Sequence, residues 1–199
     1  MKNPREAWPP YCCVPAFVDV ALRHFNFAQP TRDRLASDLG VTVPEGVDNP
    51  LSLPLASTNL VAGLTPSAAV HSINRLLAGL SPDVRLRHLP FSEIAMQLYE
   101  DVAAEALRRE VIVGIGLDWN RLSLSAGAPR RHLLRLLHAH SKRARLIDDS
   151  LESGLRSFDV AWDEIERSVG VVDDGFWLIG AAGSLQFAAA EPWLPVEYA

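Results

Sequence analysis

The spacing of apolar positions changes character near residue 110. Before it the spacing is mostly helical. CVPAFVDVALRHF predicts a helix with Pro15 in its first turn, where a missing N–H costs nothing, and with Cys13, Phe17, Val20 and His24 recurring at helical spacing. TRDRLASDLG predicts a second, short helix, with Thr31 as N-cap and Gly40 as the stop. Residues 41–64, VTVPEGVDNPLSLPLASTNLVAGL, follow neither period and are rich in Pro, Gly, Asn and Ser. They predict a long irregular segment of the kind that often forms binding loops or lids. Thr65-Pro66 opens a helix through Leu80 with Val70, Ile73, Leu76 and Leu77 as its stripe. VRLRHL (84–89) alternates as a strand, and Ser92 is placed to cap a helix to about Arg109 that turns Ile94, Leu98, Val102 and Leu107 inward.

After residue 110 strands dominate. EVIVGIGLDW (110–119), RHLLRLLHAH (131–140) and RARLIDDS (143–150) predict strands, VAWDEIERSV (160–169) a short helix, and FWLIG (176–180) and SLQFAAA (184–190) two further strands. Helices first and an antiparallel sheet second make an α+β pattern. With no repeat or low-complexity block, residues 1–199 are expected to form one domain, mainly helical over 1–109 and mainly sheet over 110–199.

Composition narrows the function classes. Hydrophobic residues at 48% and charged residues at 22% are globular values that argue against disorder. Nineteen Lys and Arg against twenty-four Asp and Glu give a net charge of −5, without the basic surplus or stripe a nucleic-acid binder normally carries. No run approaches the roughly 18 apolar residues of a membrane span. The opening MKNPREAWPPYCCV has no secretory apolar core, so a cytoplasmic protein is expected. The only two cysteines, Cys12 and Cys13, are adjacent, about 3.8 Å apart at Cα and below the usual disulfide window. Two such thiols in a reducing compartment are either buried filler or chemistry.

Cys13 falls in the first turn of a predicted helix, where the dipole and unpaired N–H groups favour the nucleophilic thiolate. The plain alternative is a small buried hydrophobe; Cys12, one residue earlier, faces elsewhere and packs. A nucleophilic cysteine needs a base, and the base needs an orienting group. His132 opens a strand directly after the turn-like AGAPRR. Asp148 and Asp149 end the next one, so a hairpin brings that end back beside His132. Either feature also has a bland reading: an exposed loop-edge histidine, and a polar strand terminus.

Taken together, these residues resemble a family. CVPAF at a helix head resembles the Cys-Gly-Pro-Ala signature of the bacteriocin-leader-processing (double-glycine) peptidases and their papain-like relatives. HLLRLLHAHSKRARLIDDS resembles their strand-opening histidine, hairpin and closing Asp-Pro, and FDVAWDEIERSV followed by GFWLIG matches their short Trp-containing helix and final strand. The resemblance implies a papain-like fold. By position it makes Cys13 the nucleophile, His132 the base and acid, and Asp148 the orienter, with Asp149 in the slot usually held by proline and Cys12 and Asp149 as the runners-up. Two positions depart from the pattern. Val14 replaces a glycine, and Ala7 stands where the family has an oxyanion-hole glutamine, a donor whose loss typically costs about 10²–10³ in rate. Trp8, Asn59, Asn120 or backbone N–H groups are the candidates to replace it.

The resemblance implies a cysteine-dependent amide or peptide hydrolase. The alternatives are an acyltransferase or amide-bond-forming enzyme of peptide or natural-product biosynthesis, and a catalytically retired domain that holds a peptide or protein partner. The expected substrate is a peptide or a small amide or acyl compound. The segment 41–64 would border the cleft through Glu45, Asp48, Asn49 and Asn59. No cofactor is expected: His138-x-His140 and adjacent cysteines are not a zinc pattern, and GLTPSAAV lacks the phosphate-loop lysine. Nucleic acid and membrane are not expected partners.

Overall fold

The computed structural model describes residues 8, 12–41, 66–94, 98–123, 131–150 and 157–189. Six strands form one antiparallel sheet: β1 (Val84–Pro90), β2 (Ile112–Asp118), β3 (Arg131–His140), β4 (Arg143–Ile147), β5 (Ser157–Ala161) and β6 (Gly175–Ala181), in the order β1-β6-β2-β3-β4-β5. The fold class is therefore α+β. Three helices, α1 (Cys13–His24), α2 (Arg32–Asp38) and α3 (Pro66–Leu80), share one apolar cluster with the β1–β6–β2–β3 part of the sheet. Across the sheet, α4 (Tyr99–Arg108) and α6 (Trp162–Val172) pack with Ile115, Leu117, Leu134 and Phe176. The one-turn helix α5 (Trp119–Leu122) follows β2.

The division into a helical first half and a sheet second half is blurred by pairing. β1, from the first half, is an edge strand beside β6, and α6, from the second, covers a face. β2 lies between β6 and β3 with both faces covered, so it reads as a nearly continuous apolar run rather than an alternation.

The buried stripe of α1 is Val14, Phe17, Val18, Ala21 and Leu22, while Val20 is half-buried and His24 exposed. That i, i+3, i+4 pattern differs from the expected Cys13–Phe17–Val20–His24 spacing. It leaves Cys13 at the stripe's margin, half-buried. Phe17, 1% exposed, docks over Gly114 of β2, where an added Cβ would stand 3.1 Å from its ring. The close approach of α1 to β2 thus depends on that missing side chain. A buried side chain of this size contributes about 1.5–3 kcal/mol.

Three expectations need correction. The helix expected from Ser92 begins only at Tyr99: Ser92 gives its N–H and hydroxyl to Asp173 across the fold, and Phe91–Glu93 forms a single 3₁₀ turn. α4 buries Tyr99, Val102, Ala103 and Ala106, with Leu98 and Leu107 half-buried. The strand expected at 184–190 is a 3₁₀ turn at Gln186–Ala189; β6 already has β1 and β2 on its two sides, so no neighbouring strand position is open to it. β5 was not expected at all. The segment expected to border the cleft, 41–64, lies outside the described residues apart from Val41.

Candidate active site

His132, the second residue of β3, sits opposite Leu117 of β2 and is 6% exposed. Its Nε2 is 2.7 Å from Asp148 Oδ2, and the Cys13 thiol lies close enough to the ring to help raise its pKa. With Nε2 committed to the carboxylate, Nδ1 is the nitrogen left for the thiol. The edge of Trp119 meets the imidazole, ring centroids 5.2 Å apart. Asp148 is 1% exposed, and its second oxygen, Oδ1, accepts from the Ser150 N–H at 2.9 Å and the Ser150 hydroxyl at 2.6 Å. The carboxylate is thereby fixed from one side and aimed at the ring from the other.

The electrostatics follow from this packing. Burial opposes charge on His132, but the hydrogen bonds to Asp148 and Cys13 and the charges of both outweigh it and raise its pKa to about 10. Burial likewise opposes the Asp148 carboxylate, yet the His132 ring and the two Ser150 donors hold its pKa below the ordinary value. Cys12 is in the opposite situation. It is fully buried, and desolvation together with the neighbouring Cys13 pushes its thiol up to about 12. A neutral buried thiol is not a nucleophile, so the Cys12 alternative is corrected to a packing role.

Which aspartate faces His132 is decided by one extra residue. From the turn, β3 and β4 pair His140 with Arg143, Ala139 with Ala144 and His138 with Arg145. A bulge then leaves Leu137 unpaired, and the register resumes with Leu136 opposite Leu146 and Arg135 opposite Ile147. One step further, Asp148 comes opposite Leu134, on the same face as His132. Without the bulge every side chain beyond it would change faces, and Asp149 would take that place. Asp149 instead grips Arg135 in a two-pronged pair of 2.7 and 2.8 Å. Its runner-up assignment is corrected accordingly.

The candidates for a missing oxyanion donor fare unequally. Trp8 is 3% exposed, and its indole N–H donates to Asp19 Oδ2 at 3.2 Å, beside the Arg23–Asp19 ion pair and under the Arg32 guanidinium. It anchors the chain ahead of α1 rather than facing a substrate, and that expectation is corrected. Asn120 lies half-buried in α5, next to Trp119, with its backbone N–H on Asp118 Oδ1. Asn59 and Ala7 lie outside the described residues. At the head of α1 the N-cap residue Cys12 makes no side-chain cap hydrogen bond, and Pro15 has no N–H to offer.

Sequence reasoning missed Ser150 and Trp119, although Asp-Asp-Ser is the composition of a turn in which a carboxylate takes its own chain's N–H. A second polar cluster was also missed. The Asp174 carboxylate lies over Gly116, where a Cβ would come within 2.2 Å of it; its Oδ1 accepts from the Trp177 indole N–H at 2.7 Å and stands 3.1 Å from His88 Nε2. Gly175, with φ +128 and the Leu89 carbonyl 2.1 Å from any added Cβ, makes the turn into β6 that puts Asp174 there.

Among the described residues no three His, Cys, Asp or Glu side chains gather as metal ligands, and no helix is long and apolar enough to cross a membrane. Neither a scan of protein-family models nor a search of curated proteins finds a match to the chain.

Proposed function

We propose that the protein is a cysteine-dependent amide or peptide hydrolase of papain-like architecture. The reading rests on one observation: a buried imidazole fixed by a carboxylate at 2.7 Å, with a half-buried thiol at a helix head near enough to raise its pKa. In this reading Cys13 attacks the carbonyl carbon of the substrate while its proton resides on His132 Nδ1. Negative charge develops on the carbonyl oxygen beside the uncapped first turn of α1, whose backbone N–H groups supply the donors a glutamine would otherwise give. The C–N bond breaks, the amine departs with the proton from His132, and Cys13 is left as a thioester. Water then attacks that thioester as His132 takes its proton. The C–S bond breaks, the acid leaves and the thiol is restored. Asp148 keeps the ring oriented and compensates its charge throughout. A reducing, cytoplasmic setting keeps both thiols free.

The experiment is an incubation with p-nitrophenyl acetate followed by peptide mapping. The expected result is a burst of nitrophenolate, an acetyl group on Cys13, and continued turnover that His132→Ala abolishes. A stable acetyl-Cys13 without turnover would leave a retired site, and acetylation elsewhere would remove the proposal.

A further inference from the structure

The sheet carries an exposed basic face at the opposite end of the hairpin that holds His132. Beyond the bulge, His138 and His140 of β3 share a face with Arg145 and Arg143, their direct partners on β4, and Lys142 tips the turn. All five are exposed. With Ser141 and Asp159 they line an open concavity of about 450 Å³, separate from the triad. His138 lies six residues along the strand from His132, about 20 Å away. The face is the one α1 covers further in. Among the described residues, however, the apolar cluster beneath α1, α2 and α3 takes nothing from β4 or β5, so no helix continues over it. A chain with a net charge of −5 thus gathers three permanent cations and two histidines on one exposed corner, where among the described residues Asp159 is the one carboxylate of the lining. The expectation of no basic stripe fails locally: the run HAHSKRAR (138–145) is contiguous in sequence, and the tight hairpin turns its basic side chains onto one face.

We propose that this face docks an acidic segment of the peptide substrate, remote from the bond cleaved at Cys13; the substrate part of that statement rests on the reading of the triad. Three features favour an extended acidic peptide. The basic side chains stand in two rows, His138 with Arg145 and His140 with Arg143, two residues apart along each strand. That spacing of about 6.6 Å is also the repeat between alternate side chains of an extended peptide. The guanidinium groups are held in place, Arg145 through Nε and Nη2 to the Ser157 hydroxyl and Arg143 through Nη2 to the Asp159 carbonyl. Those bonds orient the two guanidinium groups and give the face a fixed field of positive charge. A long nucleic acid draws on the charge of a whole surface, which here is net acidic.

The test uses the full chain carrying Cys13→Ala, a fluorescein-labelled peptide of alternating Glu and Ser, and anisotropy at low and physiological salt. Binding is expected to weaken with salt. Each of Lys142→Gln, Arg143→Gln and Arg145→Gln should weaken it about two- to fivefold, and the three together at least about tenfold. Lys142→Gln alone, an exposed change at the turn that leaves the Ser157 and Asp159 contacts intact, guards against an unfolded triple variant. Equal binding by the triple variant and the parent would overturn the proposal. Tighter binding of an oligothymidylate, or displacement of the peptide by inorganic phosphate at matched ionic strength, would overturn it in favour of another anion. Iodoacetamide labelling of otherwise wild-type protein separates the two claims: peptide docking with an unreactive Cys13 removes the hydrolase reading, whereas a reactive Cys13 without docking removes this surface.

Discussion

Asp148→Asn perturbs the candidate site with almost no change of shape. In the parent, Oδ1 receives two donors from Ser150 and Oδ2 receives the His132 N–H. An amide has one oxygen, so its NH₂ must meet a donor on one side. The Ser150 backbone N–H cannot be reoriented, whereas the imidazole can change tautomer. The amide nitrogen should therefore face His132, moving the ring proton to Nδ1, where it blocks acceptance of the thiol proton. A hydrogen bond to a charged group is worth about 1.5–3 kcal/mol. Iodoacetamide labelling of Cys13 at pH 6 should slow about tenfold to a hundredfold, and the melting temperature should fall by roughly 3–12 °C. The stability loss should depend on pH. His132 has its pKa raised to about 10, so its contribution is complete below the unfolded value near 6.5 and is lost as pH rises through 10. Asp148 has its pKa lowered, so its contribution is complete above the unfolded value of 3.8 and is lost as pH falls through the folded value. Parent and variant should differ most between about pH 4 and 6.5, and the gap should narrow on both sides. Melting curves at pH 5.5, 8 and 10.5 with intact-mass labelling provide the measurement. An unchanged labelling rate, or a stability gap constant from pH 5.5 to 10.5, would refute the coupling.

Three further outcomes follow from the packing. Cys12→Ala should leave Cys13 labelling unchanged and lower stability by about 1–2 kcal/mol, read by urea denaturation, because Cys12 is a fully buried neutral thiol. Gly116→Ala should destabilise by about 1–3 kcal/mol in the same assay, since its Cβ would meet an Asp174 carboxylate already held by Trp177 and facing His88; an unaltered midpoint would mean that this cluster yields freely. A double-mutant cycle of Arg135→Ala and Asp149→Ala should give a coupling of about 1–3 kcal/mol, larger than an exposed pair gives, because side-chain exposure is only 18% and 5%.

The sequence made the parts of the site legible where local rules act alone. Pro15 announced the head of α1 and so placed Cys13 in its first turn, and Thr31 and Gly40 bracketed α2 as expected. The hairpin could be read from its two apolar runs, and with it the nearness of residue 132 to 148. The choice between Asp148 and Asp149 could not, because it depends on an unpaired Leu137 that alternation does not reveal. Trp8 offered an indole N–H near the expected donor position, yet a buried aspartate one turn and a half into α1 claims it, a contact with no sequence signature. Ser92 looked like a helix cap until the fold supplied Asp173 as a partner from far along the chain. Local propensity yielded to tertiary pairing in each of these cases.

Everything proposed for the site depends on His132 activating Cys13. Mass spectrometry after a brief exposure to iodoacetamide at pH 6, on the parent, Cys13→Ala and His132→Ala, tests it most directly. Fast modification confined to Cys13 is expected in the parent, none at that position in Cys13→Ala, and slow modification of Cys13 in His132→Ala. Slow labelling of Cys13 in the parent, unchanged by His132→Ala, would contradict it.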